Sequence, residues 1–227
     1  FTDINPDNLR MVTQLCQRDI DENGLAIKIQ STLDRREAFR NAKYVINCVR
    51  IGMLEAFTTD VEIPLKYGID QCVGDTLCIG GIIYGQRGIH AMLEFCKDIR
   101  EVEAPNCILL NYSNPNAMVT WACNKYGNVK TYGLCHGVQH GHEQIARALG
   151  CDKKDVDIIC AGLNHQTWYI SVKTGGVERT GDLYERMLKA DFAKDENIRL
   201  DVMKNFGYYS TESNGHLSEY LMWYRKR

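Results

Sequence analysis

Cys135 and His136 stand side by side in TYGLCHGVQHG, and a further histidine, His165, follows in AGLNHQTWY. A thiol becomes a nucleophile or a metal ligand when a helix N-terminus, a positive charge or a metal stabilises its thiolate. Cys135 precedes a helix predicted to begin near Val138. Neighbouring residues of an extended segment point to opposite sides, so His136 is poorly placed to deprotonate Cys135. A cysteine and a histidine at two neighbouring strand ends, with water or substrate completing the shell, would make an open metal site of catalytic type. The plainer alternative for His165 is an ordinary hydrogen-bonded histidine. His90, His140 and His142 are expected to be solvated on helix faces.

Apolar runs alternate with helical periodicity along the chain, and this sets where such residues can lie. Phe1–Ile4 reads as the end of a strand, and Asn5-Pro6-Asp7 supplies an N-cap, a proline at the first helical position and an acid in the first turn. The helix is predicted to end at Asn23-Gly24. Leu25–Gln30 alternates like a short strand, Arg35–Asn41 is helical, and Tyr44–Val49 is the near-continuous apolar run of a parallel strand covered on both faces. Residues 50–83 give no clear pattern, and Gly80-Gly81 reads as a turn. Tyr84 to Val102 is predicted helical, Cys107–Leu110 a strand, Pro115–Tyr126 a helix, Lys130–Leu134 a strand and Val138–Leu149 a helix. This order implies an α/β fold with a doubly wound parallel, Rossmann-like sheet. Beyond Gly150 two consecutive strands, Val156–Ala161 and Thr167–Val172, precede helical and polar segments. A boundary near residue 150 therefore separates residues 1–150, a nucleotide-binding unit, from residues 151–227, part of an α+β catalytic unit.

Composition narrows the partners. The 227 residues are 44% hydrophobic and 25% charged, with a formal net charge of −2. Such a balance gives no basic field for nucleic acid or anionic lipid, and no apolar stretch approaches the ~20 residues needed to span a bilayer. Ten cysteines are scattered with no Cys-x-x-Cys pair, which favours reduced thiols over a disulfide framework. A cytoplasmic protein is expected.

Doubly wound sheets bind ligands outside the carboxyl ends of their strands. Asp3 falls at such an end and could accept the ribose hydroxyls of a dinucleotide; a capping or turn acid is the equal alternative. Asn47, Asn111 and Asn114 also end strands or begin their loops, where asparagine is a common turn former. The glycine-rich fingerprint should precede a ribose-binding acid by ~20 residues, and nothing precedes Phe1. Either the chain is a fragment or the dinucleotide reading fails.

NYSNPNAMVTWA, GLCHGVQ, AGLNHQTWY and TESNGHLSEY, in this order, resemble the motifs of glycoside hydrolase family 4, most closely its α-galactosidase branch. DINPDNL resembles the end of that family's second strand, and DTLCIGG resembles its DTLGPGG loop. The resemblance implies an NAD- and manganese-dependent glycosidase working under reducing conditions. NAD takes hydride from C3 of the sugar, a base removes the acidified C2 proton, the C1–oxygen bond breaks, water adds and the hydride returns; the family stands outside the two-carboxylate scheme. On this resemblance Cys135 and His165 are metal ligands, His136 is the general acid and Tyr220 the C2 base. Asn114, Asp75 and His216 bind substrate, and Asp3, Asn47 and Asn111 lie with NAD. Glu212 either lines the same pocket or has a structural role.

Departures are that the family's first strand and glycine-rich loop are absent, that Cys78 and Ile79 replace glycine and proline, and that Tyr84 replaces a common arginine. A fragment is therefore expected, with a homo-oligomer for the complete protein. α-Glucosidase or α-glucuronidase specificity, a 2-hydroxy-acid dehydrogenase on the same scaffold, and a non-catalytic remnant are the alternatives.

Overall fold

The computed structural model describes residues 1–102 and 106–225. Helix α1, Pro6–Asn23, starts where Asn5 accepts from the amides of Asp7 and Asn8, and it stops at Gly24 in the left-handed conformation. Helix α2, Arg35–Phe39, is capped in the same way by Asp34. Strand β1, Tyr44–Asn47, then leads to helix α3, Met53–Leu65, and helix α4, Ile79–Glu101. Strand β2, Ile108–Asn111, helix α5, Asn116–Lys125, strand β3, Thr131–Gly133, and helix α6, Gly137–Leu149, complete the first half.

The three strands form a parallel sheet in the order β1-β2-β3, with Asn47 opposite Asn111 and Asn111 opposite Gly133. Each connection is a helical crossover, as parallel pairing demands. Met92, Cys96 and Ile99 of α4 and Val119 and Cys123 of α5 bury against Leu109, with Phe39 closing the cluster. Because the strands are parallel, their carboxyl ends lie together, and the loops after Asn47, Asn111 and Gly133 open on one side.

A second, antiparallel sheet follows: β4, Val156–Leu163, β5, Gln166–Thr174, and β6, Val177–Glu178. Helices α7, Thr180–Lys189, α8, Asn197–Phe206, and α9, Asn214–Tyr220, come after it. Its core joins Tyr169 and Val172 of β5 to Leu183 and Met187 of α7 and Leu200 and Met203 of α8. Helix α6, ahead of the expected boundary near residue 150, contributes Ile145 and Ala146 to this second core. It thereby ties the end of β3 to the antiparallel sheet.

The structure corrects several expected elements. Helix α4 begins at Ile79 rather than Tyr84, and Gly80-Gly81 lies inside it: a Cβ on Gly80 would sit 2.6 Å from the Gly74 carbonyl oxygen, and one on Gly81 would meet the backbone of Thr76. Those glycines permit close backbone approach rather than a turn. Residues 50–83, unreadable in sequence, contain α3. Leu25–Gln30 is not a strand; only Thr2 and Thr32 form an isolated parallel bridge, and Leu25 and Ile27 are exposed. Likewise Phe1–Ile4 pairs at Thr2 alone. Strand β1 stops at Asn47, whose side-chain oxygen accepts from the Val49 amide and turns the chain. No helix among the described residues is long and apolar enough to cross a membrane.

Candidate active site

Cys135 lies between β3 and α6. Its sulfur accepts from the Gly137 amide at 3.4 Å, so the first turn of α6 faces the thiol. Cys135 is half-buried, whereas His136 beside it is exposed, as opposite-facing neighbours should be.

His165 arrives from the other sheet. Leu163 pairs with Gln166, so Asn164 and His165 form the two-residue tip of the β4–β5 hairpin, and His165 adopts a left-handed φ of 65°. Histidine is among the residues that tolerate this region, and such backbone is held only where its surroundings fix it. The tip brings His165 Nε2 to 3.6 Å from Cys135 Sγ.

The opposite nitrogen is set by the loop before α4. His165 Nδ1 lies 2.7 Å from Thr76 Oγ1, and Thr76 donates to Asp75 Oδ1 at 2.7 Å. A hydroxyl has one proton, so with that proton on the carboxylate its oxygen accepts from His165 Nδ1–H. Nε2 is left as the lone-pair nitrogen, turned toward Cys135. Burial, reinforced by neighbouring His216, lowers the His165 imidazole to about 4, so near pH 7 it is the neutral form that binds metals. Asp75 Oδ2 accepts from Asn114 Nδ2 at 2.9 Å, which links the substrate-binding pair expected from the sequence.

The third wall is the segment into α9. Trp168 and Ser210 form an antiparallel bridge, and Thr211 donates its amide to the Thr167 carbonyl, so residues 210–212 run beside β5. Glu212 and His216 are thus buried next to His165: the two imidazole rings are 4.1 Å apart, and Glu212 Oε1 is 4.0 Å from His165 Nε2 and 3.7 Å from His216 Nε2. Burial pushes the Glu212 carboxyl up, against the attraction of His216. One turn on, Tyr220 hydroxyl lies 2.9 Å from His216 Nδ1. Burial pushes this phenol above its ordinary range despite its hydrogen bond to Thr76. Burial also acts upward on Glu219, but hydrogen bonds from His216 and from the Val73 and Gly74 amides prevail and leave it low. Those amide bonds, 2.7 and 3.0 Å long, fasten α9 to the loop carrying Asp75 and Thr76.

Cys135, His165, Asp75, Asn114, His216 and Tyr220 therefore surround one region, built from the ends of both sheets. The donors suit a divalent ion: the ligand atoms of Cys135, His165 and Glu212 lie within 4.8 Å of one another, as do those of Asp75, His165 and His216. Thr76 and Glu219 lie inside the DTLCIGG and TESNGHLSEY motifs, but sequence reasoning assigned neither of them a role. Asn47 and Asn111 are buried at adjacent strand ends and spend their side chains on each other: Asn47 Nδ2 donates to Asn111 Oδ1 at 2.7 Å and to Ser113 Oγ at 3.0 Å. Asp3 is exposed and accepts the Asn5 amide at 2.7 Å, a turn contact. His142, expected to be solvated, instead donates Nε2–H to the Val156 carbonyl at 2.7 Å and joins α6 to β4. Tyr84 is buried, with Arg50 over its ring at 4.8 Å.

Comparison with known proteins gives a consistent picture. A family model described as "Family 4 glycosyl hydrolase" matches residues 1–151, and one for the C-terminal domain of the same family matches residues 160–227. An alpha-galactosidase from Rhizobium meliloti (strain 1021) is 55% identical over 229 residues, covering 100% of this chain and 47% of that protein. One from Bacillus subtilis (strain 168) is 36% identical, covering 99% and 52%. The 6-phospho-beta glucosidase of Thermotoga maritima, solved with manganese, NAD+ and glucose-6-phosphate, superposes with a TM-score of 0.82 at 26% identity, covering 98% of this chain and 52% of that one. The chain thus spans about half the length of the curated relatives it matches.

Proposed function

The chain belongs to the family 4 glycosyl hydrolases, and from that premise we propose that it carries the NAD-binding part and the metal site of an α-galactosidase. The observation that carries this reading is the meeting of Cys135 Sγ and His165 Nε2 at 3.6 Å, from separate sheets, in a buried site beside Asp75 and Asn114. Family membership does not favour the 2-hydroxy-acid dehydrogenase.

When bound, NAD supplies hydride acceptance and return at the sugar, and a divalent ion such as Mn2+ supplies Lewis-acid polarisation of the sugar oxygens. Cys135 and His165 would hold the ion. Asn114, steadied by Asp75, and His216 orient the glycoside. Tyr220 takes the C2 proton; its hydroxyl has His216 Nδ1 as neighbour at 2.9 Å, and a nearby cation would offset the upward push of burial. His136, on the solvent side of Cys135, gives a proton to the leaving oxygen as general acid. Asn47 and Asn111, at the ends of β1 and β2, would shape the loops beside a bound dinucleotide, and the exposed Asp3 would accept its ribose hydroxyls. The division into two units near residue 150 belongs to the same reading.

A cytoplasmic setting suits the cysteines, which are free among the described residues. Exposed apolar side chains such as Leu54, Tyr67 and Trp121 support a homo-oligomer of the complete protein.

The test is hydrolysis of an aryl α-galactoside by the full chain with NAD, Mn2+ and thiol omitted in turn. Activity lost without NAD and without Mn2+, and no net NADH, is expected. Hydrolysis indifferent to both cofactors would overturn the proposal.

A further inference from the structure

We propose that Glu212 is a third protein ligand of the divalent ion, completing a Cys135–His165–Glu212 set; this rests on the metal reading above and adds a residue to it. Its Oε1 stands 4.0 Å from His165 Nε2, and Cys135 Sγ stands 3.6 Å from the same nitrogen. Ligands about 2.0–2.3 Å from one ion lie roughly 3–4.5 Å apart, so both separations suit a shared ion.

The competing carboxylate is Asp75, and it is already engaged. Its two oxygens accept from Thr76 and Asn114, and the His165 nitrogen on its side, Nδ1, is bound to Thr76. Only Nε2 remains for a metal, and that nitrogen faces Cys135 and Glu212. Chain geometry keeps the opposite side open for Glu212. A Cβ on Gly137 would come to 2.9 Å from Glu212 Oε2 and 3.6 Å from Cys135 Sγ, so the carboxylate and the thiol occupy a recess that a side chain at 137 would fill. His216 Nε2 lies 3.7 Å from the same Glu212 Oε1 and flanks the carboxylate.

The assignment has a chemical consequence. A thiolate and an imidazole alone suit zinc, whereas a carboxylate is a hard oxygen donor that suits manganese. Glu212 would shift the set toward Mn2+ without removing its affinity for softer ions.

The experiment is titration of the full chain with Mn2+, followed by electron paramagnetic resonance, and with Zn2+ by calorimetry, for the unsubstituted protein and for Cys135→Ser, Glu212→Gln and Gly137→Ala, with circular dichroism to establish folding. Glu212→Gln is expected to weaken Mn2+ binding by at least about tenfold and Zn2+ binding by less. Gly137→Ala retains every ligand but crowds the carboxylate, and should move Mn2+ affinity the same way. Mn2+ binding lost in Cys135→Ser but unchanged in a folded Glu212→Gln or Gly137→Ala protein would overturn the role of Glu212 and leave the metal site standing. Failure of the unsubstituted protein to bind Mn2+ would overturn the metal reading itself.

Discussion

Thr76 Oγ1 and His165 Nδ1 are 2.7 Å apart across 89 residues of sequence. This contact turns Nδ1 toward Thr76 and leaves Nε2 facing Cys135; with the Thr76 proton on Asp75, the Thr76 oxygen accepts from the ring. Thr76→Val should weaken Mn2+ binding by roughly 10–100-fold, while Thr76→Ser should stay near the unsubstituted value. Metal titration of the two variants checks this, and equal affinity in Thr76→Val would sink the orienting role.

His136 is exposed while Cys135 is turned toward His165, so acid catalysis and metal binding should separate by mutation. His136→Gln is expected to reduce turnover of galactosides with poor leaving groups by about 10²–10⁴-fold. Aryl galactosides with acidic leaving groups should lose far less, since they need little protonation. Comparison of the two substrate classes, with Mn2+ affinity as the unmoved control, provides the measurement.

Asp98, on α4, gives a pH prediction. Burial pushes its carboxyl up, but hydrogen bonds from Arg35 at 2.5 Å and Arg36 at 2.7 Å prevail and hold it below the usual carboxylate range. A group whose folded pKa is depressed adds stability above its unfolded pKa of about 3.9 and loses it as pH falls through the folded value. Urea midpoints between pH 2 and 6 should therefore fall steeply on the acid side, and less steeply for Asp98→Asn. Identical acid limbs for both proteins would contradict the assignment.

Arg199 is buried and grips three segments: Nη1 donates to Gln144 Oε1 at 2.6 Å, Nη2 to the Ser210 carbonyl at 2.7 Å, and Glu196 Oε1 lies 3.1 Å from Nη1. Its guanidinium also lies 4.1 Å from the Tyr209 ring centre. Removing one member of a buried ion pair strands the other, so Arg199→Ala should cost about 3–5 kcal/mol in chemical denaturation. Because Ser210 lies two residues before Glu212, Mn2+ affinity should fall in the same variant at temperatures where it remains folded.

Much of the frame was legible in the sequence, for local reasons. Apolar runs bounded by turns located β1, β2 and β3; the Asn5-Pro6 cap and Gly24 located α1; and GLCHG and LNHQ singled out Cys135 and His165. Alternation misled at Leu25–Gln30, because an extended segment becomes a strand only when a neighbouring strand satisfies its backbone residue after residue, and here the contacts are the Phe1 amino group on the Gln30 carbonyl and the isolated Thr2–Thr32 bridge. The paired glycines misled as well: Gly80 and Gly81 serve close packing on Gly74 and Thr76, a role that composition cannot distinguish from a turn.

The sequence by itself determined which donors exist and that they lie at element ends, since caps, periodicity and motif residues act over a few positions. Tertiary structure alone decided that Thr76 sets the face of His165, that Glu212 joins Cys135 on the other, and that Asn47 and Asn111 bond to each other. Those relationships join the loop before α4, the segment into α9 and the end of β3 to the β4–β5 hairpin tip, or one strand to the next. They follow from parallel strands sharing their carboxyl ends and from a hairpin tip carried toward them, and no local stretch of sequence contains either fact.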